Sequence, residues 1–256
     1  MGMKPLIYFV LLTLMTPAVL AVDEPFYLAD DQDFAPYVYR NDEGKEAGIV
    51  YDILTTIFLR MDQELKYELF PWRRAQKIVA TGIADALMTI PTKARLKFLV
   101  ASEPIITLNF TVHYNNDNPK REQILAIKTM KELKHFQLID YQGDGWAEEK
   151  LKHNEVMWAP NYSSAVGMLA LNRGDIFLDD LLSIKAHVKK QINIEPRLKQ
   201  NFLNIKHGQN ILFTVPLCLL IRKDSKYIGL IKMFNRTLQT IKINGEYQQI
   251  INKHIL

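Results

Sequence analysis

Residues 65–90 read LKYELFPWRRAQKIVATGIADALMTI, and the fold turns on how this stretch divides. Leu65 to Phe70 predicts a strand that Pro71 stops, and Arg73 to Thr81 predicts a helix closed by Gly82. Ala84 to Ile90 then predicts a second strand. A strand, a helix and a strand within so few residues is the unit from which parallel sheets are built.

The same alternation extends in both directions. Upstream, Phe26 to Ala29 reads as a short strand and Asp42-Glu43-Gly44 as a turn. Val50 to Met61 reads as an amphipathic helix with Ile53, Leu54, Ile57 and Phe58 on its apolar side. Downstream, the pattern gives strands at Asn109 to Tyr114, Gln137 to Tyr141, Val156 to Ala159 and Asp175 to Leu178. Between and after them it gives helices at Ile127 to Leu133, Trp146 to Lys152, Ser163 to Asn172 and Leu182 to Gln191. The chain closes with an apolar strand, Ile211 to Ile221, and helices at Tyr227 to Ile241 and after Gly245. The expected class is α/β, a mainly parallel sheet with helices on both faces. In such folds ligands sit at the carboxyl ends of strands, which favours binding of a small molecule.

The chain has 256 residues, 32 Lys plus Arg, 28 Asp plus Glu and a net charge of +4, with no block of like charge that would mark a nucleic-acid footprint. Met1 to Lys4 is a short basic start, Leu6 to Leu20 is apolar, and Ala18-Val-Leu-Ala21 offers small residues at a cleavage site. Residues 1–21 therefore read as a secretory signal peptide, with mature protein from Val22 and acidic Asp23 and Glu24 following at once. Cys218, the single cysteine, lies far from that site, which argues against lipidation, and its apolar surroundings mark a buried small hydrophobe. A free, monomeric periplasmic protein is expected.

Catalytic and metal motifs are lacking. The six histidines, His113, His135, His153, His187, His207 and His254, form no H-x-x-x-H pair, so no metal site is expected. No nucleophile elbow, phosphate loop or dinucleotide fingerprint occurs, and no cofactor is expected. Asp30/Asp31 and Asp179/Asp180 could serve as acid and base. Neighbours on a strand point to opposite faces, however, so each pair is expected to give one group at most to a site.

Several short motifs, in this order, resemble the periplasmic solute-binding proteins of the amino-acid-binding type, extracellular family 3. They are Asp31-Gln-Asp-Phe34-Ala-Pro36-Tyr, Gly48-Ile-Val-Tyr-Asp52, Pro71-Trp72-Arg-Arg-Ala75, Gly82-Ile-Ala-Asp85 and Pro91-Thr-Lys-Ala-Arg95 with Phe98 and Ser102-Glu-Pro104. Asn172-Arg-Gly-Asp175 to Asp180, Leu220-Ile-Arg-Lys-Asp224 and Asn244-Gly-Glu-Tyr247 continue the likeness, which covers nearly all the mature chain.

The resemblance implies a type II periplasmic-binding-protein fold. Lobe one would be 22–107 plus 211–256 and lobe two 108–210, joined by two hinge strands. It implies a non-enzymatic receptor that closes on an amino acid or similar zwitterion and delivers it to an inner-membrane ABC permease. The alternatives it leaves are a sensing protein acting through a separate signalling partner, and a dehydratase-like enzyme on the same fold, for which no acid and base flanking a reacting atom are evident.

It also implies the site. Phe34 and Trp72 would sandwich the ligand between aromatic faces. Arg95 would clamp a carboxylate through its planar fork, helped by Thr89 and Thr92 in a loop about two residues shorter than usual. Asp180 would take an ammonium, with Asp179 the alternative if the register shifts by one. Asp31 would read the far end, where an acid favours a cation. Asp144 stands in Gly143-Asp144-Gly145-Trp146 where the family has a hydroxyl residue, and would repel a carboxylate unless it turns back to cap the helix.

Overall fold

The computed structural model describes residues 24–255; the expected signal peptide, 1–21, lies outside them. From the N-terminal side the elements are β1 (Phe26–Asp31), three short strands β2 (Asp33–Phe34), β3 (Val38–Arg40) and β4 (Glu46–Ala47), then α1 (Ile49–Arg60), β5 (Leu65–Phe70), α2 (Trp72–Ala80), β6 (Ala86–Thr89) and β7 (Leu99–Ala101). The long β8 (Ile106–Asn115) leads into α3 (Arg121–Leu125), β9 (Leu138–Tyr141), α4 (Gly145–Lys150), β10 (Val156–Ala159), α5 (Tyr162–Ala170), β11 (Ile176–Asp180), α6 (Leu181–Ile194), α7 (Lys199–Leu203) and β12 (Ile205–His207). A second long strand, β13 (Phe213–Arg222), precedes α8 (Leu230–Ile243) and α9 (Glu246–Ile255).

The main sheet runs β10-β9-β11-β8-β13-β6-β1-β5, with β12 added to β8 and β7 to β13. Both long strands change partners half-way. Ile106 to Phe110 of β8 pairs with β13, and Phe110 to Asn115 pairs with β11 and β12. In β13, Phe213 to Leu217 pairs with β8, and Cys218 to Arg222 pairs with β6 and β7. The sheet is thereby split into two halves that share only this strand pair. Within each half the strands linked by helices are parallel, β1 with β5 and β6, β9 with β10 and β11. The long strands are antiparallel to every partner. The parallel expectation thus holds for the strands joined by helical crossovers but not for the two that pass between the halves, since those return without a crossover.

Apolar spacing explains the packing. α1 buries Ile53, Leu54, Ile57 and Phe58 against Phe26 and against Phe234, Leu238 and Ile241 of α8. Each large side chain so removed from water contributes about 1.5 to 3 kcal/mol. On the other half, Tyr162, Val166 and Leu169 of α5 pack with Ile139, Phe177 and Phe202. Cys218 is buried with Ala29, Val79 and Leu87 under α2, and burial pushes its thiol up to about 11.

Two local expectations are corrected. The helix expected at Ile127 to Leu133 is instead α3 at Arg121–Leu125 and a separate 3-10 turn at Met130–His135. The cause is a capping box: the Glu132 carboxylate accepts from the backbone N–H of Thr129 at 2.7 Å and of Lys128 at 2.9 Å, starting a new turn there. The last long helix starts at Leu230, not Tyr227, because the Ser225 hydroxyl holds the Tyr227 N–H and the Asp85 carboxylate in a preceding turn.

Gly48, the residue that precedes α1, has φ +129°, and a Cβ there would stand 2.2 Å from the Tyr37 carbonyl oxygen. Only glycine fits this approach, and the approach sets the loop bearing Phe34 and Tyr37.

Candidate functional site

A cavity opens where the two halves face each other. It is lined by strand ends and the loops after them: Asp30 and Asp31 of β1, Phe34, Trp72, Met88 and Thr89 of β6 with Ile90, Arg95, Tyr141, Asp144 and Asp179. Leu108, Phe110 and Leu217 of the two long strands also line it. About 50 Å³ is accessible to the centre of a water molecule, room for a few waters.

Six of the residues expected at a ligand site, Asp31, Phe34, Trp72, Thr89, Arg95 and Asp144, come together here although as many as 113 positions separate them in sequence. Thr92, the other hydroxyl of that loop, is buried and lies off the cavity wall. Asp180 is also absent from the wall. Its carboxylate accepts from the backbone N–H groups of Leu182 and Ser183, capping α6, and from the Tyr37 hydroxyl at 2.9 Å. Asp179, one residue earlier, faces the cavity instead. The expectation of one group per adjacent acid pair is corrected for Asp30 and Asp31, both of which line the cavity. They are the last two residues of β1, still paired with Leu69 and Phe70 of β5, and the cavity takes in both sides of this strand end.

Arg95 is 8% exposed and rests on the edge of the cavity. One Nη donates to the Ile90 carbonyl at 3.0 Å, the other to Gln76 Oε1 at 3.2 Å, and the guanidinium lies 5.3 Å from the Trp72 ring. A Cβ at Gly145 would come within 3.2 Å of Arg95, so the glycine gives the guanidinium its seat. Burial lowers the Arg95 pKa, while the Asp144 charge acts the other way.

Asp144 turns back on α4: one carboxylate oxygen accepts from the backbone N–H groups of Trp146 at 2.8 Å and Ala147 at 3.0 Å. The repulsion expected of it is thereby partly absorbed by the cap.

Acids crowd this region. Burial raises the carboxyls of Asp30, Asp140 and Asp179 well above the usual range, and brings Asp31 up to about 7. Asp144 adds to the upward push on Asp140, and Asp180 to that on Asp179. Each of Asp30, Asp31, Asp140 and Asp179 holds a backbone N–H close ahead of it in sequence. Asp30 also accepts from the Tyr67 hydroxyl at 2.8 Å, whereas Asp140 Oδ2 is buried with no hydrogen-bond partner among the described residues. On the lining, Arg95 is the single cation among the described residues. No group of three or more metal-ligating side chains occurs among them.

Contacts between the two halves close the cavity. Trp72 Nε1 donates to the Gly143 carbonyl at 2.7 Å and Gln76 to the same oxygen at 3.2 Å. Arg73 donates to Gln142 and the Lys93 N–H to Glu149. Beyond Phe34, Asp33 accepts from Ser163 and Lys190 and meets His187.

Tyr141 and Asp140 have no place in the sequence reading of the site, and Asp30 enters it only as half of an adjacent acid pair. Their signal is position alone, at or beside the carboxyl ends of β1 and β9. Among the described residues no helix is long and apolar enough to cross a membrane.

A model of the bacterial extracellular solute-binding proteins, family 3, matches residues 27–256. A comparison with curated proteins gives no match. Among solved structures, the chain is similar to a histidine kinase sensor domain resembling periplasmic binding proteins, at 17% identity and TM-score 0.76, covering 90% of this chain and 96% of that one. It is similar to an ancestral arginine-binding protein bound to glutamine, at 20% identity and TM-score 0.68, covering 90% and 97%. An arginine transport periplasmic binding protein from Legionella pneumophila is similar at 17% identity and TM-score 0.71, covering 90% and 99%. At these identities the likeness is one of fold, and the fold is the two-lobed α/β architecture of periplasmic binding proteins.

Proposed function

We propose that this chain, which belongs to the bacterial extracellular solute-binding proteins of family 3, is a periplasmic receptor for an amino acid or similar zwitterion and hands it to an inner-membrane ABC importer. The lobes in this reading are 22–107 with 211–256, and 108–210. The observation that carries it is the position of the cavity, between Arg95 and Asp31 on one side and Asp144 and Asp179 on the other, at the strand pair where the sheet divides.

The mechanism is a population shift. A solute that touches both walls binds the closed form better than the open one and is stabilised by the difference. Arg95 supplies directional N–H donors for a carboxylate, Asp179 and Asp31 supply acceptors for ammonium groups, and Phe34 and Trp72 cover the apolar part. Nothing in this arrangement has to break a bond.

Likeness to a histidine kinase sensor domain supports a second reading, in which closure is read by a signalling partner. Calorimetry of the protein with the twenty amino acids, combined with small-angle scattering, tests both. Tight binding accompanied by a smaller radius of gyration is expected; tight binding without any contraction sinks the two-lobe mechanism. Growth of a deletion strain on the bound solute as sole nitrogen source separates transport from sensing.

A further inference from the structure

Outside the ligand cavity, a second set of contacts joins the two halves through Asp33. The Asp33 carboxylate accepts from Lys190 Nζ at 2.5 Å and from the Ser163 hydroxyl at 3.0 Å. Its carbonyl oxygen stands 2.9 Å from His187 Nε2, and the other ring nitrogen, Nδ1, stands 2.9 Å from the Ser183 carbonyl oxygen. His187 is fully buried, with its ring 4.0 Å from that of Tyr162.

Both ring nitrogens therefore face carbonyl oxygens, which only accept. A neutral imidazole has one N–H and leaves a lone pair directed at a second carbonyl; the imidazolium has two and satisfies both. Asp33 Oδ1 lies 3.5 Å from Nε2, placing a negative charge beside the protonated ring. The network also reaches the ligand wall, since the Asp33 N–H donates to the Asp31 carboxylate at 3.1 Å.

We propose that His187, with Lys190 and Ser163, is an interlobe positioning residue that clasps Asp33 in the closed form, takes up a proton as it does so, and thereby fixes the ligand-facing Asp31. This rests on the two-lobe reading above. The titratable groups that face the ring are Asp33 and Asp31 from β1–β2, Tyr162 from α5, and Lys190 from the same helix. Of those on the other elements packed against α6, His113 is turned to the Asp179 carbonyl. Asp180 is engaged by Tyr37 and the helix cap, Asp179 faces the cavity, and Arg197 and Lys199 are exposed. Although burial alone would raise it, bonds from His187 and Lys190 bring the Asp33 carboxyl down to about 2.

The test uses the ligand-free protein with spin labels at Leu59→Cys and Ile194→Cys, exposed positions on α1 and α6, and reads the distance distribution at pH 8 and pH 5.5. The closed-to-open ratio is expected to rise about tenfold at the lower pH, as it must when a proton is held preferentially in one of two states. His187→Gln is expected to abolish that rise. Should the buried variant fold poorly, Asp33→Asn, at the accessible end, keeps the proposal open to refutation: it is expected to shift the rise to lower pH. A wild-type ratio indifferent to pH, or the same rise in His187→Gln and Asp33→Asn, overturns the clasp. One fixed distance at every pH and with every amino acid overturns the two-lobe reading along with it, whereas closure by an amino acid without pH dependence overturns the clasp alone.

Discussion

The indole N–H of Trp72 donates to the carbonyl oxygen of Gly143 at 2.7 Å, tying the first residue of α2 to the loop before α4 across the cavity. Gly143 has φ +91°, and a Cβ there would crowd Gln76, Arg73 and Trp72 at 3.1 to 3.4 Å. The glycine therefore presents its carbonyl to the opposite wall without a side chain in between. One tryptophan thus has two tasks, a face on the cavity wall and a bond that joins the two halves.

Trp72→Phe separates these tasks. The face is kept and the bond is lost, so affinity is expected to fall about twofold to tenfold, the equivalent of a net 0.5 to 1.5 kcal/mol hydrogen bond. Trp72→Ala should lose more. Calorimetry with a solute the wild type binds is the measurement, and an unaffected Phe variant would show that the bound form lacks the bond.

Gly48→Ala probes the frame instead of the site. The new methyl would meet backbone, the Tyr37 carbonyl at 2.2 Å, at a φ of +129°, and neither can yield cheaply. A loss of about 3 kcal/mol or more is expected, read as a lowered denaturant midpoint. A fully stable variant would mean that the Tyr37 loop can move away.

How much of this was readable from sequence depends on the distance over which each feature is determined. Strands at 65–70 and 156–159 were read to the residue, because local turn signals bound them. The turn at Thr129 was missed because a Glu132 side chain acting three residues back outweighs the apolar run around it. In the site, Trp72 was marked by Pro71 directly before it. Asp180 is ranked ahead of Asp179 by motif spacing, and the structure reverses the order, since the face each presents depends on pairing with β8, whose residues lie near position 110. Asp140 carries no local mark at all. Its significance arises only when α4 and β11 bring Asp144 and Asp179 close to it.

Arg95→Ala should weaken solutes that carry a carboxylate by tenfold or more, at about 1.5 to 3 kcal/mol for charge-assisted bonds, and leave simple diamines unaffected. The variant also strips the Ile90 carbonyl and Gln76 of their donor, so a lower melting temperature should accompany it. Equal losses for amino acids and diamines would show a general packing effect and remove Arg95 from carboxylate recognition.

The acids give a prediction about charge and pH together. Burial and mutual repulsion hold the carboxyls of Asp30, Asp140 and Asp179 well above the usual range and Asp31 at about 7. A folded-state pKa above the unfolded one means that the folded protein binds more protons between the two values. Its stability is then fully present below the unfolded value, near 4, and is lost as pH rises through about 7. The melting temperature of the unliganded protein is therefore expected to fall from pH 5 to pH 8, and Asp179→Asn should flatten that fall. Asp180→Ala, by removing the α6 cap, should lower stability by about 0.5 to 2 kcal/mol at either pH. A bound cation supplies the missing counter-charge. Lysine or arginine should thus bind at least tenfold tighter than norleucine, with affinity rising towards pH 8 and protons released on binding. Calorimetry at pH 6.5 in buffers of different ionisation enthalpy measures the release. His187→Gln is the proper background, because it removes the proposed clasp on Asp33, which would act on closure in the opposite direction. Norleucine binding as well as lysine, with no proton released, would mean that the acids are neutralised within the protein and take no part in choosing the solute.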